Sequence, residues 1–283
     1  MVGTTTPTMT ISTLANIYTT DRKRYTMNIL VLGDVVGDSG CEFIRKKLSA
    51  FKRLKSIDFT IANGENSSEG NGITPYSAEH LFTSGVDFIT TGNHTYRRKE
   101  VYDFLDENEY IIRPYNYPAN NPGRGVALVD MGMYSIGVIN LMGTMFMENL
   151  GNPFYAADKA LKELEGKTKI ILVDFHAEAT SEKQALAYYL DGRVSAVFGT
   201  HTHVLTNDDR VLEGGTGYIT DIGMCGVIDS VLGVDKNIII EKFRTNMPAR
   251  FDNAKGKSMI NGCIFTIDEK SGKCIGTEIV RFE

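Results

Sequence analysis

Short apolar runs in this chain end repeatedly in polar residues of the same few kinds. The five motifs that follow such runs are Gly33-Asp34, Asn63-Gly64-Glu65-Asn66, Gly92-Asn93-His94, Asp174-Phe175-His176 and Gly199-Thr200-His201-Thr202-His203. They contain four of the five histidines. The apolar runs have the length of buried strands, and ligands of open α/β sheets collect at the carboxyl ends of strands. The sequence therefore predicts a metal site at a sheet edge and an enzyme built around it.

Strands and helices alternate from Met27 onward. Strands at 28–32 and 57–62 enclose an amphipathic helix at 42–54, and such succession gives a mostly parallel sheet. Antiparallel additions are indicated by three hairpin-like pairs, namely 126–130 with 134–140, 210–212 with 217–220, and 259–267 with 274–282. The predicted fold class is α/β, with two mixed β-sheets packed face to face and helices outside.

The first 26 residues differ in character from the rest. They are rich in threonine, and their basic residues follow the weakly apolar part, which is the wrong order for a secretory signal. We interpret residues 1–26 as a disordered leader, native or added. The remaining residues, 27–283, carry no internal repeat or linker and are predicted to form a single domain.

Composition excludes several classes of partner. The net charge of −5 contains no long block of one sign, so neither a nucleic-acid duplex nor a membrane is expected as a partner. No apolar tract is long enough to span a bilayer. The four cysteines lack CxxC spacing, which favours reduced thiols and a cytoplasmic location. Cys263 and Cys274 could face each other across the last hairpin, but no functional disulfide is expected.

Imidazole, carboxylate and amide groups in these motifs are suited to metal binding. In an extended His201-Thr202-His203 segment, the two histidines would share a face and lie ~6.6 to 6.8 Å apart along the strand. Two metals ~3.5 to 4 Å apart could then be served, as in two-metal hydrolytic sites. Asp34 and Glu65 add oxygen ligands. Because no cysteine belongs to the set, Fe, Mn, Co or Zn in mixed coordination is favoured.

Each motif also has a simpler interpretation when it is taken alone. Asp34 could be a helix N-cap, Asn93 a turn residue and His176 a hydrogen-bonded structural histidine. The occurrence of all five motifs at successive strand ends favours the metal site. His80 belongs to no motif and is predicted to be a surface or packing residue.

The motifs resemble those of the calcineurin-like metallophosphoesterase superfamily, whose pattern runs D-x-H, G-D, G-N-H-D/E, H and G-H-x-H. The chain departs from that pattern at four positions, namely Val36 for histidine, Glu65 for aspartate, Thr95 for an acid and Thr200 for glycine. One branch, the YmdB-like phosphodiesterases, shares these departures and resembles the chain from Met27 to its end. Further similar stretches are Gly33 to Gly37, Asp174 to Glu178, Tyr189 to Ala196 and Asp221 to Met224.

The resemblance implies a four-layer α/β/β/α sandwich with a dinuclear centre. One metal would be held by Asp34, Glu65, Asn66 and His203, with the Asn66 carbonyl replacing the missing histidine. The second would be held by Glu65, Asn93, His176 and His201. The family implies iron, and Mn or Zn would also suit these ligands. A bridging hydroxide would attack phosphorus in line, and His94 would protonate the leaving oxygen as general acid.

The favoured function is hydrolysis of small cyclic nucleotides, and the branch implies 2',3'-cyclic ones. A phosphomonoesterase is the enzymatic alternative, and a non-catalytic nucleotide-sensing protein is the alternative outside enzymes. The sequence leaves a homo-oligomer possible and does not identify substrate-binding residues. The stretch from Arg113 to Pro118 also resembles one in the branch, and we interpret it as a structural turn.

Overall fold

The computed structural model describes residues 25–283. Residues 1–24, nearly all of the predicted leader, lie outside that range. The described residues form thirteen strands and six helices. The strands are β1 (Thr26–Leu32), β2 (Asp34–Val35), β3 (Phe59–Asn63), β4 (Phe88–Thr90), β5 (Val126–Asp130), β6 (Ser135–Met142), β7 (Ile170–His176), β8 (Ala196–Thr200), β9 (Arg210–Val211), β10 (Gly217–Ile219), β11 (Met224–Val227), β12 (Ser258–Asp268) and β13 (Cys274–Phe282). The helices are α1 (Gly37–Lys55), α2 (Pro75–Thr83), α3 (Val101–Glu107), α4 (Pro153–Leu164), α5 (Thr180–Leu190) and α6 (Lys236–Thr245).

Two mixed sheets make up the centre of the fold. The first has the strand order β2-β11-β12-β1-β3-β4, and β13 also pairs with β12. The second has the order β5-β6-β7-β8-β10-β9. In the first sheet β1, β3 and β4 are parallel, and in the second β6, β7, β8 and β10 are parallel. Both sheets therefore present several carboxyl strand ends at one edge.

Alternating side chains sort the strands into inner and outer faces. On β1, Ile29 and Val31 point into a core between the two sheets, which also contains Leu172 of the second sheet. Leu30 and Leu32 point outward and pack with α1, α2 and α3. The outer face of the second sheet packs against α4 and α5. This order of layers confirms the predicted α/β/β/α sandwich of two face-to-face sheets.

Most predicted elements are present, and the three predicted hairpins are confirmed as antiparallel pairs. The short parallel pair of β2 with β11 and the helix α6 were not predicted.

All four cysteines are buried and free. Cys263 lies opposite Ile279 and Cys274 lies opposite Ile267, so the two cysteines do not face each other across the hairpin. None of the helices within residues 25–283 combines the length and hydropathy that a bilayer crossing requires.

Candidate metal centre

The eight residues singled out in the sequence come together at one edge of the sandwich. The first sheet brings Asp34 in β2, Glu65 and Asn66 after β3, and Asn93 and His94 after β4; the second brings His176 at the end of β7, and His201 and His203 after β8. Contacts of 2.9–3.6 Å link these side chains, both within each sheet and between the two sheets. The alternative of Asp34 as a helix N-cap is wrong, because Val36 occupies that position of α1.

Two glycines allow the strand ends to approach so closely. A Cβ atom on Gly33 would lie 2.1 Å from the carbonyl oxygen of Gly223, so the loop that carries Asp34 can touch its neighbour only without a side chain there. A Cβ atom on Gly92 would lie 2.3 Å from the His176 ring and 2.5 Å from Glu65 Oε2. Gly92 therefore leaves the space in which the carboxylate and imidazole meet.

The segment that carries His201 and His203 is not an extended strand, so the predicted strand spacing is wrong. His201 has φ 95° and His203 has φ 64°, both in the left-handed region. The side chain of Asp221 accepts hydrogen bonds from the backbone and hydroxyl of Thr202. Lys183 donates to the Thr200 carbonyl at 2.8 Å and to Asp221 at 2.7 Å. These buried contacts fold the segment into a tight loop, and the loop directs both imidazoles into the cluster.

Four potential ligand atoms converge on one point around His176. Its Nε2 atom lies 2.9 Å from Asn93 Oδ1, 3.1 Å from His201 Nδ1 and 3.2 Å from Glu65 Oε1. One ligand atom from each of Glu65, His176 and His201 lies within 4.8 Å of the other two, close enough for the three to share a metal ion. Nitrogen and oxygen atoms packed in this way suit a divalent cation.

The outward nitrogen of each of the three histidines has its own acceptor. His176 Nδ1 lies 2.9 Å from Thr200 Oγ1, and that hydroxyl donates to Asp174 at 2.7 Å. His201 Nε2 lies 3.1 Å from Glu178 Oε2, and His203 Nδ1 lies 3.1 Å from the Leu232 carbonyl oxygen. When the outward nitrogen carries the proton, the inward nitrogen keeps its lone pair for a metal.

A second group of potential ligand atoms surrounds Asp34. Its Oδ1 atom is buried without a hydrogen-bond partner among the described residues and lies 3.6 Å from His203 Nε2. A buried carboxylate oxygen of this kind is expected to be paired, and a cation would pair it. Asn66 Nδ2 lies 3.3 Å from His203 Nε2 and 3.2 Å from Glu65 Oε1. Rotating the Asn66 amide by half a turn would present its carbonyl oxygen there instead.

His94 occupies the cluster in a different way from the other histidines. Its Nδ1 atom lies 2.9 Å from Asn66 Oδ1 and 3.2 Å from Glu65 Oε1, and its backbone N–H donates to Glu65 Oε2 at 2.8 Å. The side chain is 22% exposed. With Nδ1 held against the Asn66 amide, the Nε2 atom is the one left for an oxygen of a bound substrate.

Burial and neighbouring charges shift the pKa values in the cluster. Burial by itself would raise the pKa of Glu65, but the imidazoles of His176 and His94 lower it well below its usual range. Burial, together with the charge of protonated His176, lowers the pKa of His201 to about 4. Burial raises the pKa of Asp174 to about 6.

Several residues support the ligands in a way that was not predicted from the sequence. Asp174 accepts from Thr200, Thr90 and Asn63, so it anchors the hydroxyl behind His176. The alternation of side chains along β7 places Asp174 on the same face as His176, and this signal could have identified it. Glu178 and the Leu232 carbonyl come from loops and had no such signal. His80 lies outside the cluster, with Nε2 3.4 Å from Glu42, in agreement with a packing role.

Proteins of known sequence or structure are similar to this chain over most of its length. A 2',3'-cyclic-nucleotide 2'-phosphodiesterase of Bacillus subtilis (strain 168) is 46% identical over 252 residues, which are 89% of this chain and 96% of that protein. The crystal structure of a hypothetical protein from Thermus thermophilus superposes with a TM-score of 0.85 at 40% identity, covering 91% of this chain and 99% of that one. The crystal structure of a novel phosphatase from Mycoplasma pneumoniae superposes with a TM-score of 0.86 at 34% identity, covering 91% and 93%.

The sandwich, with its cluster at the strand ends, defines a calcineurin-like metallophosphoesterase, a hydrolase of phosphate esters. A fold of this class implies divalent metal ions at the cluster. The family model described as YmdB-like protein matches residues 30–280. The chain belongs to this YmdB-like family, as the motifs predicted.

Proposed function

We propose that the chain is a dinuclear metal-dependent phosphodiesterase that hydrolyses 2',3'-cyclic nucleotides. The observation that carries the proposal is the position of Glu65 between two sets of potential ligands. Its Oε1 atom lies 3.2 Å from both His176 Nε2 and Asn66 Nδ2. The activity named for the Bacillus subtilis relative, at 46% identity, supports the choice of substrate.

The proposed ligand sets follow from these contacts. Asp34, Glu65, Asn66 and His203 would hold one ion, while Glu65, Asn93, His176 and His201 would hold the other. Iron is the proposed metal, and Mn or Zn would suit the same donors. Two divalent ions outweigh the two carboxylates, so when bound they would offset the phosphate charge and activate water for attack.

The chain's own contribution to the reaction is orientation and a proton. Glu65 fixes the backbone of His94 through its Oε2 atom, and Asn66 holds the Nδ1 side of the ring. The ring then presents Nε2 to the ribose oxygen that leaves when the cyclic ester opens. Protonation of that oxygen by His94 is proposed as the general-acid step.

A phosphomonoesterase remains the second candidate, because the Mycoplasma pneumoniae relative is described as a novel phosphatase. The same ligand sets serve both reactions, and only the substrate-binding surface separates them. A non-catalytic nucleotide sensor is less well supported, since a sensor needs no proton donor beside the phosphate.

A cytoplasmic enzyme acting on a small substrate fits the remaining observations. The four buried, free cysteines are compatible with a reducing compartment. We propose a small cyclic nucleotide as the partner rather than a nucleic-acid duplex or a membrane. A homo-oligomer is compatible with the described surface.

Metal analysis combined with a substrate panel tests the proposal. Protein purified with and without oxygen should contain two metal ions per chain and should hydrolyse 2',3'-cyclic nucleotides. Turnover of bis-p-nitrophenyl phosphate should exceed that of p-nitrophenyl phosphate. Glu65→Gln should lose both metals and activity, whereas Glu69→Gln, four residues away on the exposed surface, should keep them. Two retained metals in Glu65→Gln would contradict the bridging role.

A further inference from the structure

A cavity of about 580 Å³ lies between the segment 113–126 and helix α4. Its volume falls within the range of ~300 to 1,000 Å³ that is typical of small-molecule sites. Its wall includes Arg113, Tyr115 and Tyr117, which belong to the stretch interpreted from the sequence as a structural turn.

Two contacts connect the wall of the cavity with the strand and loop that carry His94. Ile111 forms a parallel bridge with Ile89 of β4, so the chain leading to Arg113 runs beside the strand that ends at Gly92. The ring of Tyr117 packs edge-on against the ring of Tyr96, with centroids 5.2 Å apart. Tyr96 follows His94 by two residues, so one wall of the cavity is packed on the loop of the proposed general acid.

The charged groups around the cavity are mainly positive. Arg113, Arg124 and Lys159 line it, against the single acid Glu163. Arg113 is only 4% exposed, and its Nη1 atom donates to the backbone carbonyls of Pro114 and Tyr115. Its Nε atom is buried with no hydrogen-bond partner among the described residues. A buried guanidinium without a carboxylate partner is costly, and a bound anion would offset that cost.

The other charged groups leave the positive excess in place. Arg124 lies 3.7 Å from Glu109 in a pair whose side chains are 40% and 76% exposed, which neutralises little of its charge. Glu163 accepts a hydrogen bond from the hydroxyl of Tyr115. The tyrosine rings of this cavity also offer faces on which a base can stack: Tyr117 is partly buried and Tyr155 is 71% exposed.

We propose that this cavity binds the nucleoside of the substrate together with a phosphate on its O5' atom. The inference rests on the proposed function, because the leaving oxygen protonated by His94 belongs to the ribose. The ribose therefore lies on the His94 side, and the base and O5' point toward Tyr117 and the three cations. The preferred substrate is then a nucleoside 2',3'-cyclic phosphate that also carries a 5'-phosphate.

Steady-state kinetics on matched substrates test the preference. We expect the metal-loaded enzyme to hydrolyse 5'-phosphoadenosine 2',3'-cyclic phosphate with a higher kcat/KM than adenosine 2',3'-cyclic phosphate. The expected gain is roughly tenfold, which corresponds to one charge-assisted hydrogen bond. The third substrate compared is a dinucleotide that ends in a 2',3'-cyclic phosphate, in which the O5' phosphate is an internucleotide one. Equal gains for the mononucleotide and dinucleotide would assign the site to an internucleotide phosphate as well as to a terminal one.

Variants at the two more exposed cations keep the test independent of folding. Lys159→Ala and Arg124→Ala should each remove most of the 5'-phosphate preference and leave turnover of bis-p-nitrophenyl phosphate unchanged. Lys162→Ala, an exposed lysine on the same helix outside the cavity, is the matched control and should retain the preference. A wild-type enzyme with no preference, or variants that keep it, would overturn the inference.

Binding of adenosine 5'-monophosphate separates this inference from the proposed function. Calorimetry should show tighter binding of the monophosphate than of adenosine, and Lys159→Ala should weaken it. If the enzyme hydrolyses 2',3'-cyclic nucleotides equally well with and without a 5'-phosphate, the inference is wrong and the proposed function is still supported. The opposite result is also informative. If the protein hydrolyses no cyclic nucleotide but Lys159→Ala weakens binding of adenosine 5'-monophosphate, the anion site is supported and the proposed function is rejected.

Discussion

His94 differs from the other histidines of the cluster in where its ring nitrogens lie. His176 and His203 turn one nitrogen toward the proposed metals and have the other paired, whereas His94 contacts Asn66 and Glu65 through Nδ1 and leaves Nε2 outside the proposed ligand sets. A histidine held in this way can lose or gain a proton at Nε2 without changing the proposed ligand sets.

His94→Ala is therefore expected to keep both metals and lose most activity on a 2',3'-cyclic nucleotide. General-acid catalysis contributes ~10² to 10⁴-fold, and the ribose oxygen is a poor leaving group that needs the proton. p-Nitrophenolate leaves without one, so the loss on a p-nitrophenyl ester should be much smaller. Rates on both substrates, with metal content measured in parallel, check this. Equal losses would mean that His94 positions the phosphate instead.

Val36 occupies the position at which the superfamily has a ligand histidine. Val36 is 8% exposed and packs directly on Gly233. A Cβ atom added to that glycine would lie 2.5 Å from Val36 Cγ1, so no free space separates the two residues. An imidazole does not fit without movement of this neighbour. Val36→His should therefore destabilise the protein by about 1 to 3 kcal/mol, the usual cost of overpacking.

Melting of Val36→His in the presence of a chelator checks that cost without a contribution from metal binding. Val211→His, on the exposed edge strand β9, is the control and should melt close to the wild type. An unchanged melting temperature for Val36→His would show that the loop can open to admit the ring.

At the scale of elements, a buried ion pair fixes the loop that follows β8. Lys183 of α5 and Asp221 are both 1% exposed, and together they contact Thr200 and Thr202 on either side of His201. The left-handed backbone of His201 and His203 is thus maintained from outside the loop. Helix α5 contributes to the site without carrying a ligand.

Lys183→Met should leave Asp221 buried and unpaired. Breaking a buried pair in this way costs about 3 to 5 kcal/mol, and the loosened loop should also bind metal more weakly. Guanidinium unfolding and metal dissociation measure the two effects, with exposed Lys162→Met as the control. A stable Lys183→Met protein with wild-type metal affinity would show that the loop holds its shape alone.

Periodicity predicted α1 because that helix buries one face along its length, and continuous apolar runs predicted strands such as β1, which are buried on both faces. The elements β2 and β11 were missed because two-residue and four-residue strands are too short to show a period. Helix α6 was missed because it buries only Ile239. The site residues could be predicted because they follow strand ends in the sequence. The shape of the His201 to His203 loop depends on Lys183 and Asp221, which spacing along the chain does not encode.

At the scale of the whole molecule, the candidate site joins the two sheets. Asp34 and Glu65 are buried carboxylates from the first sheet that face histidines of the second. Metal ions held between them would bind the folded protein only, and so would stabilise the sandwich as a unit.

A chelator is therefore expected to lower the melting temperature, and added Mn²⁺ should restore it. An ion present at a thousand times its dissociation constant contributes about 4 kcal/mol. Calorimetry with and without chelator measures the change, and Glu65→Gln should be insensitive to both additions. If the chelator leaves the melting temperature of the wild-type protein unchanged, the cluster holds no metal.

The pairing of β1 with β12 has a consequence for synthesis on the ribosome. Leu32 lies opposite Gly262, and the Asp34 loop follows directly. Because translation adds ~5 to 20 residues per second, the nascent β1 waits for seconds with one edge open before its partner strand is made. An unpaired strand edge can pair with strands of other chains. We therefore expect the nascent chain to depend most on chaperones in that interval. We therefore expect the cluster to reach its final shape, and to bind metal, only after β12 has been made.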